Sequence, residues 1–155
     1  MLFTEKCEYV IIYLVMFMIK EIMHDEVFLA KKSELATKED LYIANDLRDT
    51  LKANKDKCVG MAANMIGINK KIIIFENNNK EYIVMFSPEI IKKRDSFETE
   101  EACLSLQGYP KKTTRYKSIK VRWQNENFEW RIKTFFGFEA QIIQHEIDHC
   151  DGILI

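Results

Sequence analysis

The sequence predicts an α+β domain: antiparallel strands and hairpins packed around a C-terminal helix, with a further helix nearer the N-terminus. Three observations carry this. Short runs with period-two apolar alternation recur between turn-forming segments. Two segments, well separated in the chain, carry helical periodicity. Strands and helices do not alternate along the chain as a parallel βαβ array requires.

The elements follow in order. YVIIYLVMFMI, Tyr9 to Ile19, is an apolar run of eleven residues, too short to span a bilayer. Glu5, Lys6 and Glu8 give it a mixed start and no A-x-A follows, which does not suit a secretory signal. It reads as a buried strand or helix, or as sequence upstream of a true start at Met16, Met18 or Met23. Residues 1–17 are therefore set apart as an N-terminal extension, and residues 18–155 form one domain.

SELATKEDLYIANDLRDTLKANKD reads as a helix, with Thr37 capping its start and Asp40 as a capping-box partner. Leu41, Ala44, Leu47 and Leu51 share one face, while Asp46, Asp49 and Lys52 point away. CVGMAANMIG follows, small and apolar. KIIIF (Lys71 to Phe75) and YIVMF (Tyr82 to Phe86) are strands joined by the turn ENNNKE. SIKVRW turns Ile119, Val121 and Trp123 inward, and FEWRIK turns Phe128, Trp130 and Ile132 inward, with QNEN as the hairpin connection. The last helix runs from about Phe138 to Cys150, and Gly152 stops it.

Composition narrows the function classes. The chain has 155 residues, 47% hydrophobic and 30% charged, enough for one real core. Its net charge of −1 gives no reason to propose nucleic acid or an acidic membrane surface as partner. Cys7, Cys58, Cys103 and Cys150 form no C-x-x-C pair, which fits a reduced, cytoplasmic setting.

The chemistry concentrates in QHEIDHCDG, Gln144 to Gly152. On a helix, His145 and His149 stand one turn apart, with Cβ atoms about 5–6 Å from each other, so both imidazoles can reach one metal ion. Glu146 is rotated about a quarter turn from His145, a place for a general base rather than a ligand. Ile142 lies on the same stripe and offers an apolar wall. A catalytic metal needs a third protein ligand and an open position for water. Cys103, His24 and several carboxylates are candidates, and spacing alone does not choose among them. As a thiolate, Cys103 would favour a transition metal over Mg or Ca. Against all this stands the plain alternative of two surface histidines on an acidic helix, with Cys103 a small buried hydrophobe.

Three blocks together resemble the peptide deformylase family: VGMAANMIG (Val59 to Gly67), EACLS (Glu101 to Ser105) and QHEIDHCDG. Their order and separation match the family's glycine–alanine, E-G-C-L-S and H-E-x-D-H boxes, and the likeness covers roughly Ile19 to the C-terminus. The resemblance implies a metal held by Cys103, His145 and His149, usually ferrous iron, with zinc, nickel or cobalt also accepted. It implies Glu146 as general base and then acid, and the Leu104 N–H as an oxyanion donor. The reaction would remove the N-formyl group from the initiator methionine of nascent bacterial polypeptides, at or near the ribosome. By position, Val59, Gly60, Ala102, Phe138 and Ile142 would contact substrate, and Arg115 matches an arginine that follows the second box.

One departure bears on rate. The family's second oxyanion donor is a glutamine at the position of Met65, and a thioether donates no hydrogen bond. Asn64 has an amide but stands one residue early. Ala102 also replaces a glycine of the second box, and Cys58 a glycine of the first; Cys58 reads as a structural cysteine before an extra ligand. A deformylase-like protein with an intact metal site but weak or altered activity is thus the alternative expectation. An H-E-x-x-H peptidase with a carboxylate ligand from elsewhere, or a purely structural domain, are the remaining ones.

Overall fold

The computed structural model describes residues 19–155. The expected extension 1–17 and most of the apolar run Tyr9–Ile19 lie outside the described residues.

Five strands form one antiparallel sheet in chain order: β1 (Gly60–Ala62), β2 (Ile72–Glu76), β3 (Tyr82–Glu101), β4 (Lys111–Gln124) and β5 (Trp130–Phe136). Among the described residues three α-helices accompany it: α1 (Glu26–Leu29), α2 (Ile43–Ala53) and α3 (Gly137–Cys150). The antiparallel sheet and the C-terminal helix are as the alternation and periodicity predict.

Thr37 and Asp40 do cap the first long helix, and the Thr37 N–H donates to Asp40 Oδ2 at 2.7 Å. The turn they cap is a 3₁₀ segment, Lys38–Tyr42, which leads into α2, so the α-helix is shorter than its sequence signal. Ala44, Leu47 and Leu51 are buried with Ile43 against the core, and Leu41 is half-buried. The core is filled by the β2 run Ile72 to Phe75, by Met85 and Phe86, by Ile119 and Val121, and by Ile143 of α3.

Two expectations need correction. The strand beginning at Tyr82 does not stop at Phe86. After an irregularity between Phe86 and Glu89 it pairs with β4 as far as Glu101 opposite Lys111. Its distal part, IKKRDSFETE, is largely exposed, so it shows no apolar period. The second correction concerns β5. Ile119, Val121 and Trp123 face inward as expected, with 8% exposure or less. Their direct partners on β5 are Phe135, Lys133 and Arg131. Directly opposed residues share a face, so Trp130 and Ile132 fall on the other side, 54% and 56% exposed. Pairing with β4 fixes the phase and overrides the apolar pattern. Phe128 is half-buried in the preceding turn, where it packs on the core.

Gly152 ends α3 with φ +76°, and the Ile153 N–H donates back to the Asp148 carbonyl at 2.9 Å. A Cβ there would stand 2.4 Å from the Ala30 carbonyl oxygen. This glycine therefore closes the helix and lets the segment after α1 pass beside it.

Candidate metal centre

The centre is built where α3 crosses the end of the β3–β4 hairpin. α3 presents His145, Glu146 and His149, and its other face is buried through Ile143 and Ile147. The hairpin loop supplies Cys103, two residues past the last paired residue of β3. Cys103 Sγ lies 3.0 Å from His149 Nε2, and the two Nε2 atoms are 3.1 Å apart. The three donor atoms all lie within 4.8 Å of one another. Of the candidates for a third donor, Cys103 is the one the fold brings to the two imidazoles. His24, another of the candidates, instead binds the loop through its Nδ1, 3.0 Å from the Ser105 carbonyl.

The surroundings orient these donors. His145 Nδ1 donates to Glu101 Oε2 at 2.8 Å, which turns Nε2 toward the cluster. Glu101 is held in turn by Arg115 at 2.9 and 2.7 Å and by Gln141 at 2.9 Å. Arg115, only 4% exposed, also donates to Asp148 at 2.5 Å. One guanidinium therefore ties β4 to β3 and to α3. The Ser105 N–H points at Cys103 Sγ at 3.3 Å and helps hold the sulfur in place. His149 Nδ1 is buried and has no partner among the described residues.

Protonation follows from this packing. For Glu101, burial favours the acid, but the bonds from His145, Arg115 and Gln141 outweigh it and hold its pKa near about 2. Burial would also lower His145, yet its bonds to Cys103 and Glu101 raise it to about 10. Burial, then the charge of His145, drives His149 down to about 3. A thiolate and two imidazoles packed this closely suit a divalent transition metal.

Glu146 stands beside this cluster and is not one of its donors. Its side chain is buried, Oε2 has no partner among the described residues, and burial raises its pKa to about 7. A buried carboxyl that titrates near neutrality is suited to proton transfer. Gly60 of β1 packs against it so closely that a Cβ would lie 2.7 Å from Glu146 Oε1.

A cleft of about 280 Å³ opens over the centre, lined by Val59, Gly60, Ala102, Leu104, Phe138 and Ile142, among others. Phe138 is 60% exposed at its rim, while Ile142 is 6% exposed at its floor. No hydrogen bond to the Leu104 N–H is formed among the described residues. Met65 also lines the cleft, but its Sδ accepts the Ala62 N–H at 3.4 Å. Asn64 is turned away and donates to the His149 carbonyl at 2.7 Å. Cys58 lines the cleft outside the donor set, its thiol pushed up to about 11 by burial and then by the charge of Glu146.

Sequence reasoning assigned no role to Glu101 or Gln141. The signal for Glu101 was its place as the first residue of EACLS, and nothing in the pattern marked Gln141.

The profile of the family described as Polypeptide deformylase matches residues 18–155. A peptide deformylase of Clostridium beijerinckii is 51% identical over 138 residues, which cover 89% of this chain and 100% of the relative. One from Aquifex aeolicus is 32% identical over 128 residues, covering 79% and 75%. Among solved structures, the peptide deformylase of Thermotoga maritima superposes with TM-score 0.79 at 27% identity, covering 88% of this chain and 94% of that one. A class I type b peptide deformylase of Acinetobacter baumannii, solved with Met-Ala-Ser bound, gives 0.77 at 27% identity, covering 88% and 95%.

Proposed function

Since the chain belongs to the polypeptide deformylase family, we propose that it hydrolyses the N-formyl group of formylmethionine at the N-terminus of nascent polypeptides, releasing formate and a free amine. The observation that carries this is the meeting of Cys103 Sγ with the Nε2 atoms of His145 and His149 beside the buried Glu146 carboxyl, whose Oε2 has no partner among the described residues.

Cys103, His145 and His149 would hold the metal ion, ferrous iron first among the candidates, with zinc, nickel and cobalt behind it. When bound, such an ion acidifies water and polarises a carbonyl oxygen. Glu146 takes the proton of the attacking water, whose oxygen bonds to the formyl carbon. As the C–N bond breaks, the same carboxyl returns the proton to the leaving nitrogen. The Leu104 N–H, at the cleft wall, donates to the oxyanion. Val59, Phe138 and Ile142 receive the methionine side chain, while Gly60 and Ala102 let the substrate backbone approach. The Acinetobacter relative, which binds a tripeptide beginning with methionine, supports this placement. The enzyme would work in the cytoplasm on chains leaving the ribosome. Of the described helices, none is long and apolar enough to cross a membrane.

The test is anaerobic loading with ferrous iron or nickel, metal analysis, and turnover of a formyl-Met peptide by wild type and Glu146→Ala. Stoichiometric metal in both, with turnover in wild type alone, is expected. Loaded wild type no faster than Glu146→Ala overturns the reading.

A further inference from the structure

The path of a substrate out of the cleft is set by β1, the edge strand of the sheet, which pairs only with β2. The Val59 carbonyl accepts from the Glu76 N–H at 2.9 Å. By antiparallel alternation, Gly60 then turns its own N–H and carbonyl to the free edge. Gly60 also stands against Glu146, the base of the proposed reaction. An extended substrate that pairs with this edge therefore sets its methionine beside Gly60. From there it cannot follow Met61 and Ala62, both 0% exposed. It must run the other way, past Val59, which is 39% exposed, toward Lys57, which is exposed and lines the cleft.

Lys57 is a cation that the fold does not use. Among the described residues it is the one lysine or arginine lining the cleft, and it takes part in no ion pair. The carboxylates around it are engaged or balanced. Glu76, bonded through its backbone to Val59, holds Lys80 at 2.7 Å. Glu101 is held by Arg115. Glu100, also on the cleft, lies directly opposite Lys112 of β4, and opposite charges in that position attract. Asp56 is next to Lys57 in the chain, and Lys55 on its other side offsets it. Lys57 stands three residues from Gly60, about 10 Å along an extended chain. A substrate residue three places beyond the methionine lies equally far out.

We infer that Lys57 selects an acidic side chain at the fourth residue of the substrate. This rests on the deformylase reading and adds a charge preference downstream of the methionine.

The test uses metal-loaded full chain and formyl-Met-Ala-Ala-X-Ala amides, with X as Asp, Ala or Lys, read as kcat/KM at low salt. For wild type, Asp should exceed Ala by about threefold and Lys should fall below Ala by a similar factor, the size of an exposed charge pair. At about 1 M salt the order should collapse. Lys57→Glu should reverse the order while leaving the Ala peptide unchanged. Lys55→Gln, which removes an exposed charge from the same turn, should keep the wild-type order. Moving Asp to the second residue should give a smaller gain. Turnover of all three peptides at one rate overturns the inference and leaves the deformylase reading standing. So does an order that survives in Lys57→Glu, or a larger gain with Asp at the second residue. No turnover of any peptide overturns the deformylase reading, and the inference with it.

Discussion

Gly60→Ala perturbs the placement of Glu146, and kcat at saturating substrate reads it apart from the contact of Gly60 with substrate. The backbone at Gly60 is not in the left-handed region, so alanine meets no conformational barrier. The obstacle is space, because the new Cβ would lie 2.7 Å from both Glu146 Oε1 and Ile142 Cγ2, and 3.1 Å from Glu146 Cγ. Carbon contacts settle at about 3.5–4.0 Å, so β1 and α3 must separate, or the carboxyl must swing, by close to 1 Å. A displacement of that size at a reacting group can cost about a hundredfold in rate. The overpacking itself costs about 1–3 kcal/mol of stability. The metal donors do not touch Gly60, so metal content should stay at the wild-type level while kcat falls. The assay is steady-state deformylation by anaerobically loaded protein, with metal analysis and a melting curve on the same sample. Wild-type kcat in a folded, loaded Gly60→Ala would refute the idea that this contact positions the base.

Three further outcomes follow from the same geometry. Met65→Gln should raise kcat by about ten- to a hundredfold, since one missing oxyanion donor typically costs about a hundred- to a thousandfold and the graft will not be ideal; no gain would mean that another group already serves the oxyanion. Glu101→Gln should weaken metal retention by about ten- to a hundredfold, because the carboxylate orients His145, and a chelator titration that matches wild type would remove Glu101 from that role. The pH profile has a definite sign: Glu146 must be ionised to accept a proton, burial raises its pKa to about 7, and a nearby cation can only lower it. The acid limb of kcat/KM should therefore fall at or below pH of about 7, and a limb well above that would exclude Glu146 as the base.

The parts of the fold that were legible in the sequence are those with a buried face. The α2 stripe, the β2 run and the Ile119–Val121–Trp123 alternation record burial directly, and the structure buries them. On α3 the helical spacing placed His145 and His149 together without any knowledge of the sheet. Cys103 was different. It reaches His149 across 46 residues of chain, and spacing could not separate it from His24. Only the resemblance of EACLS to the family's second box singled it out. Trp130 and Ile132 misled because pairing with β4, not their apolarity, sets the face they take.

The least legible segment is also what sets the site. Residues after Phe86 show no period because most of them lie in water, so nothing in the pattern distinguishes them from a charged loop. Yet their pairing with β4 continues to Glu101 opposite Lys111, and that ribbon delivers Glu101 to His145 and Arg115 to both Glu101 and Asp148. Cys103 follows two residues later, where a loop free of that pairing would have no fixed height above α3. Metal donors must be held within a fraction of an ångström of their working positions. A stiff ladder tied to the helix by one buried guanidinium meets that demand; a flexible connection of the same composition does not. The charged run is therefore part of the metal site's geometry, although none of its residues bears the chemistry.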